Sequence, residues 1–269
     1  MKTPGRPGLT CTVAMTICLC FLAGACHAQE TRTMLGTMPA DRILILGNSI
    51  TLHGVHKPYG WLHHCGMAAS VPEKDYVHLL AAGIDARTGG RLRISSTAPA
   101  ADASPAEAAA NCPNVINIAG IFERNYAGYS NDALRNQLDW KPDIVVLQFG
   151  ENTVMDGFDA EAFKTGLRSL LTGLKDSSNP HIFMTSQILG GGGIKDEIKR
   201  ALCAEDPSHR VYVDLSAFGQ DPTNFASAEP YYTGIIVGHP GDKGMAFIAN
   251  TLLKAMLTHA GIEPAPATP

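Results

Sequence analysis

Asp143-Ile144-Val145-Val146-Leu147-Gln148-Phe149-Gly150 is an apolar run of strand length that stops at a glycine. Side chains that are apolar at consecutive positions predict a strand covered on both faces, as in parallel sheets. Working outward, Arg42-Ile43-Leu44-Ile45-Leu46-Gly47 repeats the pattern upstream. Asn114–Ala119, His181–Ile188 and Arg210–Leu215 bring the strands to five. Helical patterns alternate with them at Asn131–Trp140, Ala160–Leu174 and Ile194–Cys203, and a last helix runs from Lys243 to His259. Ser70-Val71-Pro72-Glu73 has the form of a capping box and predicts a further helix through Tyr76, Val77, Leu79 and Leu80. Strands alternating with helices predict an α/β fold: a three-layer αβα sandwich on a mainly parallel sheet of about five strands.

The 269-residue chain is 45% hydrophobic and 17% charged, which excludes an intrinsically disordered protein. A net charge of -4 argues against a nucleic-acid partner, which calls for a basic excess. The pattern places one domain at 41–260, with a flexible leader at 29–40 and a disordered tail at 261–269. Ser95–Asn111, rich in Ala, Pro and Ser, is expected to be a surface insertion. Gly190–Gly193 follows a strand but lacks the Lys-Ser/Thr of a phosphate loop, so a mobile loop is expected there.

Residues 1–28 have the form of a secretory signal peptide. Lys2 and Arg6 are its basic start, Val13–Ala25 its apolar run, and Cys26-His27-Ala28 its small-residue cleavage site. The run is too short for a comfortable membrane span. The expected product is secreted or periplasmic. The alternative is lipoprotein processing at Cys26, because Leu22-Ala23-Gly24-Ala25-Cys26 is close to a lipobox. Cleavage removes two basic residues and no acidic ones, so the net charge moves from -4 to -6. Of seven cysteines, Cys65, Cys112 and Cys203 remain, with no metal-ligand spacing.

In open parallel sheets ligands bind beyond the carboxyl ends of the strands. Three segments fall there: Gly47-Asn48-Ser49-Ile50-Thr51, Gly150-Glu151-Asn152-Thr153 and His239-Pro240-Gly241-Asp242. Asp242 is a natural N-cap for the last helix. Together, and in this order, the segments resemble the blocks of the SGNH hydrolase superfamily, the GDSL-type esterases, over roughly residues 41–260. Asn48 stands where the family usually has Asp, and Thr153 where its Gly-x-Asn-Asp block has Asp. The resemblance implies a flavodoxin-like SGNH fold, a Ser49 nucleophile, a His239 base, and an oxyanion hole built from Ser49, Asn152 and a second-block glycine. Gly128 is the preferred glycine, since it precedes the helix start at Ser130-Asn131, and Gly120 is the competitor.

The family usually carries an Asp three residues before its His, whereas this chain has Ile236. Either a backbone carbonyl orients His239, or an acid arrives from Glu229, Asp214, Glu151 or Asp242. The implied chemistry is acyl transfer without metal or cofactor. His53, His56, His63 and His64 share a loop without an acidic partner and are not expected to bind a metal. Trp61 and Glu151 are candidate substrate contacts, and the Tyr59–His64 loop would suit a saccharide. The expected substrate is a small-molecule or saccharide ester with a short acyl group, above all O-acetyl. The alternatives are a lysophospholipase or thioesterase of the same superfamily, and a non-catalytic carbohydrate-binding protein. Oligomeric state is not legible in the sequence.

Overall fold

Besides Met1, the computed structural model describes residues 32–90, 92–96, 112–228 and 234–263, and Arg32–Pro269 forms one compact unit. The export signal, the lipobox, Glu229, most of the Ala/Pro/Ser-rich segment and residues 264–269 lie outside the described residues.

The stretch expected as a leader is, from Arg32 on, part of the fold. Strands β1 (Met34–Leu35) and β2 (Met38–Pro39) form a short antiparallel hairpin. Leu35, Met38 and Ala40 are buried, and the Thr37 N–H donates to the Ala260 carbonyl at 3.1 Å. The tip needs a glycine. Gly36 has φ +58°, and a Cβ there would lie 2.3 Å from the Ala260 oxygen. Three buried side chains over so short a hairpin give no period to read, which is why sequence pattern missed it. Ile262, expected in a disordered tail, packs against the same core.

The main sheet holds β3 (Ile43–Gly47), β4 (Val115–Asn117), β5 (Ile144–Gln148), β6 (His181–Thr185) and β7 (Arg210–Val213). All pairs are parallel, in the order β4-β3-β5-β6-β7. Counting only these strands, that is the 2-1-3-4-5 flavodoxin-like order, with its switch point between β3 and β5. Side chains alternate between two cores. Ile43, Ile45, Ile144 and Val146 face one, and Leu44, Leu46, Val145 and Leu147 face the other.

Helix α1 (Tyr76–Thr88) covers the first face, α2 (Arg135–Asp139), α3 (Ala160–Ser178) and α4 (Gly193–Ala204) the second, and α5 (Asp242–His259) joins α1 on the first. In α3, Phe163, Leu167, Leu170, Leu171 and Leu174 recur at helical spacing and are buried. Each such side chain is worth about 1.5–3 kcal/mol of apolar burial. Asp159 caps that helix, accepting from the N–H groups of Glu161 at 3.0 Å and Ala162 at 2.9 Å.

Two expected caps fall elsewhere. Pro72–Lys74 forms a separate 3-10 turn, so α1 starts at Tyr76 and is capped by Asp75. Gly241 is the N-cap residue of α5, and Asp242 instead accepts from the Ser70 N–H at 2.8 Å and hydroxyl at 2.7 Å. At the amino end of the sheet, His181 Nδ1 lies 3.0 Å from His259 Nε2, and its ring stacks on His209 at 5.2 Å. Burial, with His259 and His209 beside it, lowers the pKa of His181 to about 4. Cys65, Cys112 and Cys203 are all buried and free. Among the described residues no helix is long and apolar enough to cross a membrane.

Candidate active site

The three segments meet at the carboxyl ends of β3 and β5. After β3 the chain turns sharply: the N–H groups of Thr51 and Leu52 both donate to the Asn48 carbonyl, at 3.0 and 2.9 Å. Gly47 permits this turn, since a Cβ there would fall 1.8 Å from Thr51 Oγ1. Ser49 is thereby lifted half-exposed from a buried strand end. Its Oγ lies 2.9 Å from His239 Nε2.

His239 is held on its far side by backbone. Its Nδ1 is 3.0 Å from the Ile235 carbonyl oxygen. Ile236, which stands where the resembled family usually has Asp, is buried in the core. Of the acids considered for the role, the three among the described residues are engaged elsewhere. Asp214 accepts from the Ser216 N–H at 2.8 Å, Asp242 holds Ser70, and Glu151 accepts from Asn48 Nδ2 at 2.6 Å and the Ile188 N–H at 2.8 Å. Burial lowers the His239 pKa, the Ile235 carbonyl raises it, and the nearby His53 lowers it further.

Ser49 and His239 line a cleft of about 380 Å³ together with His53, Asn117, Gly120, Arg124, Glu151 and Asn152, among others. Asn152 therefore falls where the sequence pattern put it, and Gly128 does not. The Gly128 N–H donates to the Asn125 carbonyl at 3.0 Å, and the residue lies outside the cleft lining. Gly120 sits in the first turn of a short helix, Ala119–Glu123, whose leading N–H groups have no carbonyl partner within the turn. Of the two candidate glycines, Gly120 is the one that lines the cleft.

Trp61 is also corrected. It is fully buried, and its Nε1 lies 3.3 Å from the His53 carbonyl, so the ring has no free face for a sugar. It stabilises the loop that carries His53. Glu151 lines the cleft, but its oxygens are committed to Asn48, Gln148 and Ile188. Burial raises its pKa, the Lys199 ammonium lowers it, and Glu123 raises it.

Glu123 was not foreseen. It is fully buried, and its Oε1 accepts from the Gly150 N–H at 2.6 Å, the Asn152 N–H at 3.2 Å and Asn48 Nδ2 at 3.3 Å. Its Oε2 accepts from Asn152 Nδ2 at 2.8 Å. These bonds explain the family departure at 48. An Asp there would face two carboxylates, Glu123 and Glu151, whereas the neutral amide donates to both. Thr153 likewise donates its hydroxyl to the Glu123 carbonyl at 2.9 Å.

Gly150 takes φ +132°, a conformation open to glycine, and α4 braces its loop from behind. Lys195 Nζ donates to the Gly150 and Thr153 carbonyls at 2.7 and 2.9 Å, and Lys199 Nζ donates to the carbonyls of Phe149 and Thr185. Both lysines are buried. Their signal is in the sequence: Lys195, Ile198, Lys199 and Leu202 share one helical face, so the lysines point inward with the apolar residues.

No protein-family model and no curated protein matches this chain. Among solved structures it is similar to a carbohydrate esterase family 3 protein from Talaromyces cellulolyticus, 16% identical, with a TM-score of 0.49 over 81% of this chain and 97% of that one. It is similar to an acetyl esterase mutant crystallised with acetate ion, 15% identical, with a TM-score of 0.47 over 81% and 97% of the two chains. A third is the psychrotrophic esterase EstA from Pseudoalteromonas sp., 16% identical, with a TM-score of 0.44 over 80% and 96%. The strand order gives this chain a flavodoxin-like α/β fold, and Ser49, Asn152 and His239 meet in one cleft at the carboxyl edge of its sheet.

Proposed function

We propose that the chain is an exported serine esterase that removes short acyl groups, acetyl above all, from small-molecule or saccharide esters through a Ser49–His239 acyl-enzyme. The observation that carries this reading is the 2.9 Å contact between Ser49 Oγ and His239 Nε2, with Nδ1 held by a carbonyl. A carbonyl only accepts, so Nδ1 carries the proton and Nε2 presents its lone pair to the serine hydroxyl. The depressed pKa of His239 keeps the ring neutral near pH 7, as a general base requires.

Ser49 Oγ attacks the ester carbonyl while Nε2 takes its proton. The developing oxyanion accepts from the N–H groups of Ser49 and Gly120 and from Asn152 Nδ2. One such donor is worth about 2.7–4 kcal/mol. The imidazolium then protonates the departing alcohol, water attacks the acyl-enzyme with the same base, and Ser49 is released. The 380 Å³ cleft suits a small acyl group better than a long chain. The buried Trp61 removes the aromatic platform expected for a sugar, so a saccharide alcohol would have to be bound by polar side chains such as His53 and Asn117.

The test is turnover of an aryl acetate and labelling by a fluorophosphonate. Both should vanish in Ser49→Ala with the fold intact, and turnover retained in that variant would overturn the reading. A panel of acyl lengths should favour acetyl, and a preference for long chains would favour the lysophospholipase alternative. Export is checked by mass spectrometry of extracellular or periplasmic material, which should begin at Gln29. A lipidated Cys26 would establish the anchored alternative.

A further inference from the structure

We propose that Glu123, with Arg124 beside it, is a positioning residue that fixes the Asn152 amide with an N–H aimed at the reacting carbonyl oxygen. The proposal rests on the Ser49–His239 esterase reading. The Asn152 side chain has one acceptor oxygen and two donor hydrogens on nitrogen. Arg124 Nη2 lies 2.8 Å from Asn152 Oδ1, and a guanidinium only donates. Glu123 Oε2 lies 2.8 Å from Asn152 Nδ2, and an ionised carboxylate only accepts. These two neighbours, adjacent in the chain, permit a single orientation of the amide. One Nδ2 hydrogen goes to Glu123, and the other is left for the cleft that Asn152 lines with Ser49 and His239.

Glu123 is itself immobilised. Its other oxygen collects the Gly150 and Asn152 N–H groups and the amide of Asn48, the residue just before the nucleophile. One buried carboxylate thus ties the turn carrying Ser49 to the turn carrying Asn152. In a Glu123→Gln variant, the amide oxygen can still serve the three donors at Oε1. The amide nitrogen then faces Asn152 Nδ2, donor against donor. Asn152 cannot flip to relieve this, because its nitrogen would then meet the Arg124 donors.

The experiment is a double-mutant cycle in kcat on an aryl acetate, each variant normalised by fluorophosphonate titration of Ser49. Glu123→Gln is expected to lower kcat by about 100-fold, the loss of one oxyanion donor, with KM within threefold. In the Asn152→Ala background the same substitution should cost less than threefold, because Glu123 acts through Asn152. Arg124→Met should behave alike with a smaller drop, about tenfold with Asn152 in place and none in the Asn152→Ala background, and it decides the question if the Gln variant does not fold. A purely structural brace would instead multiply through, with equal losses in both backgrounds, and that additivity would overturn the proposal. So would a Glu123→Gln enzyme within threefold of the parent. Ser49→Ala, run alongside, separates the failures: activity surviving there sinks the esterase reading, whereas its loss with an additive cycle sinks only the role of Glu123.

Discussion

His239 Nδ1 and the Ile235 carbonyl oxygen lie 3.0 Å apart, so the imidazole in this cleft is oriented by main chain four residues upstream. A carboxylate partner would favour the imidazolium and raise the pKa, but here burial lowers it. On the esterase reading the working form is the neutral ring, and protonation would stop turnover. The acid limb of kcat/KM is expected to have its midpoint below the ordinary histidine value of 6.5. A midpoint above 7 in a pH–rate profile would reveal a hidden acid.

The same relationship predicts that the acids already engaged elsewhere are dispensable. Asp214→Asn should keep kcat within about threefold, against a loss of about 10⁴ when a true triad aspartate becomes Asn. Steady-state kinetics on an aryl acetate checks this.

Asn48→Asp should be severe. It places a third carboxylate beside Glu123 and Glu151 in a position with no solvent access. An uncompensated buried charge costs about 3–5 kcal/mol, read as a lower urea midpoint at pH 7. The variant should recover part of that loss as the pH falls and carboxyls protonate.

Trp61 separates packing from binding. Trp61→Ala should cost about 3–5 kcal/mol, as other buried aromatics do. Trp61→Phe should keep the KM of saccharide acetates within about twofold, because the indole does not reach the cleft. A large KM increase in the Phe variant would restore the stacking role suggested by sequence.

The histidines at the amino end of the sheet make stability pH-dependent. His181 titrates near 4 in the folded chain and near 6.5 unfolded. Between those values the unfolded chain binds a proton that the folded one refuses, so stability falls as pH drops through that window. Urea midpoints measured from pH 7 to pH 4.5 should fall less steeply in His181→Gln than in the parent.

The three central strands were legible because each is a short run apolar on both faces, and no helix periodicity competes within five residues. The meeting of Ser49, Asn152 and His239 was legible from the order of their three segments and its resemblance to the SGNH blocks, since each residue alone is common in loops. Glu123 was not legible. It follows Phe122 in a single irregular turn, and its four donors come from residues 48, 150 and 152, a relationship with no local spacing. Gly128 was preferred because one segment holds two short turns that both begin near a glycine, and only the fold shows which of them lines the cleft with Ser49. Trp61 misled because the pattern of a loop does not tell an inward ring from an outward one.

The hairpin tip at Gly36-Thr37 grips Ala260 through both the Thr37 N–H and hydroxyl, across 223 positions of chain. The stretch from Arg32 to Glu263 therefore starts and finishes on neighbouring segments and comes close to forming a ring. Such a ring can be cut elsewhere. Joining those two ends by a short Gly/Ser linker and opening the exposed Pro207-Ser208 turn, at the sheet end away from Ser49, should give a circular permutant that still assembles the cleft.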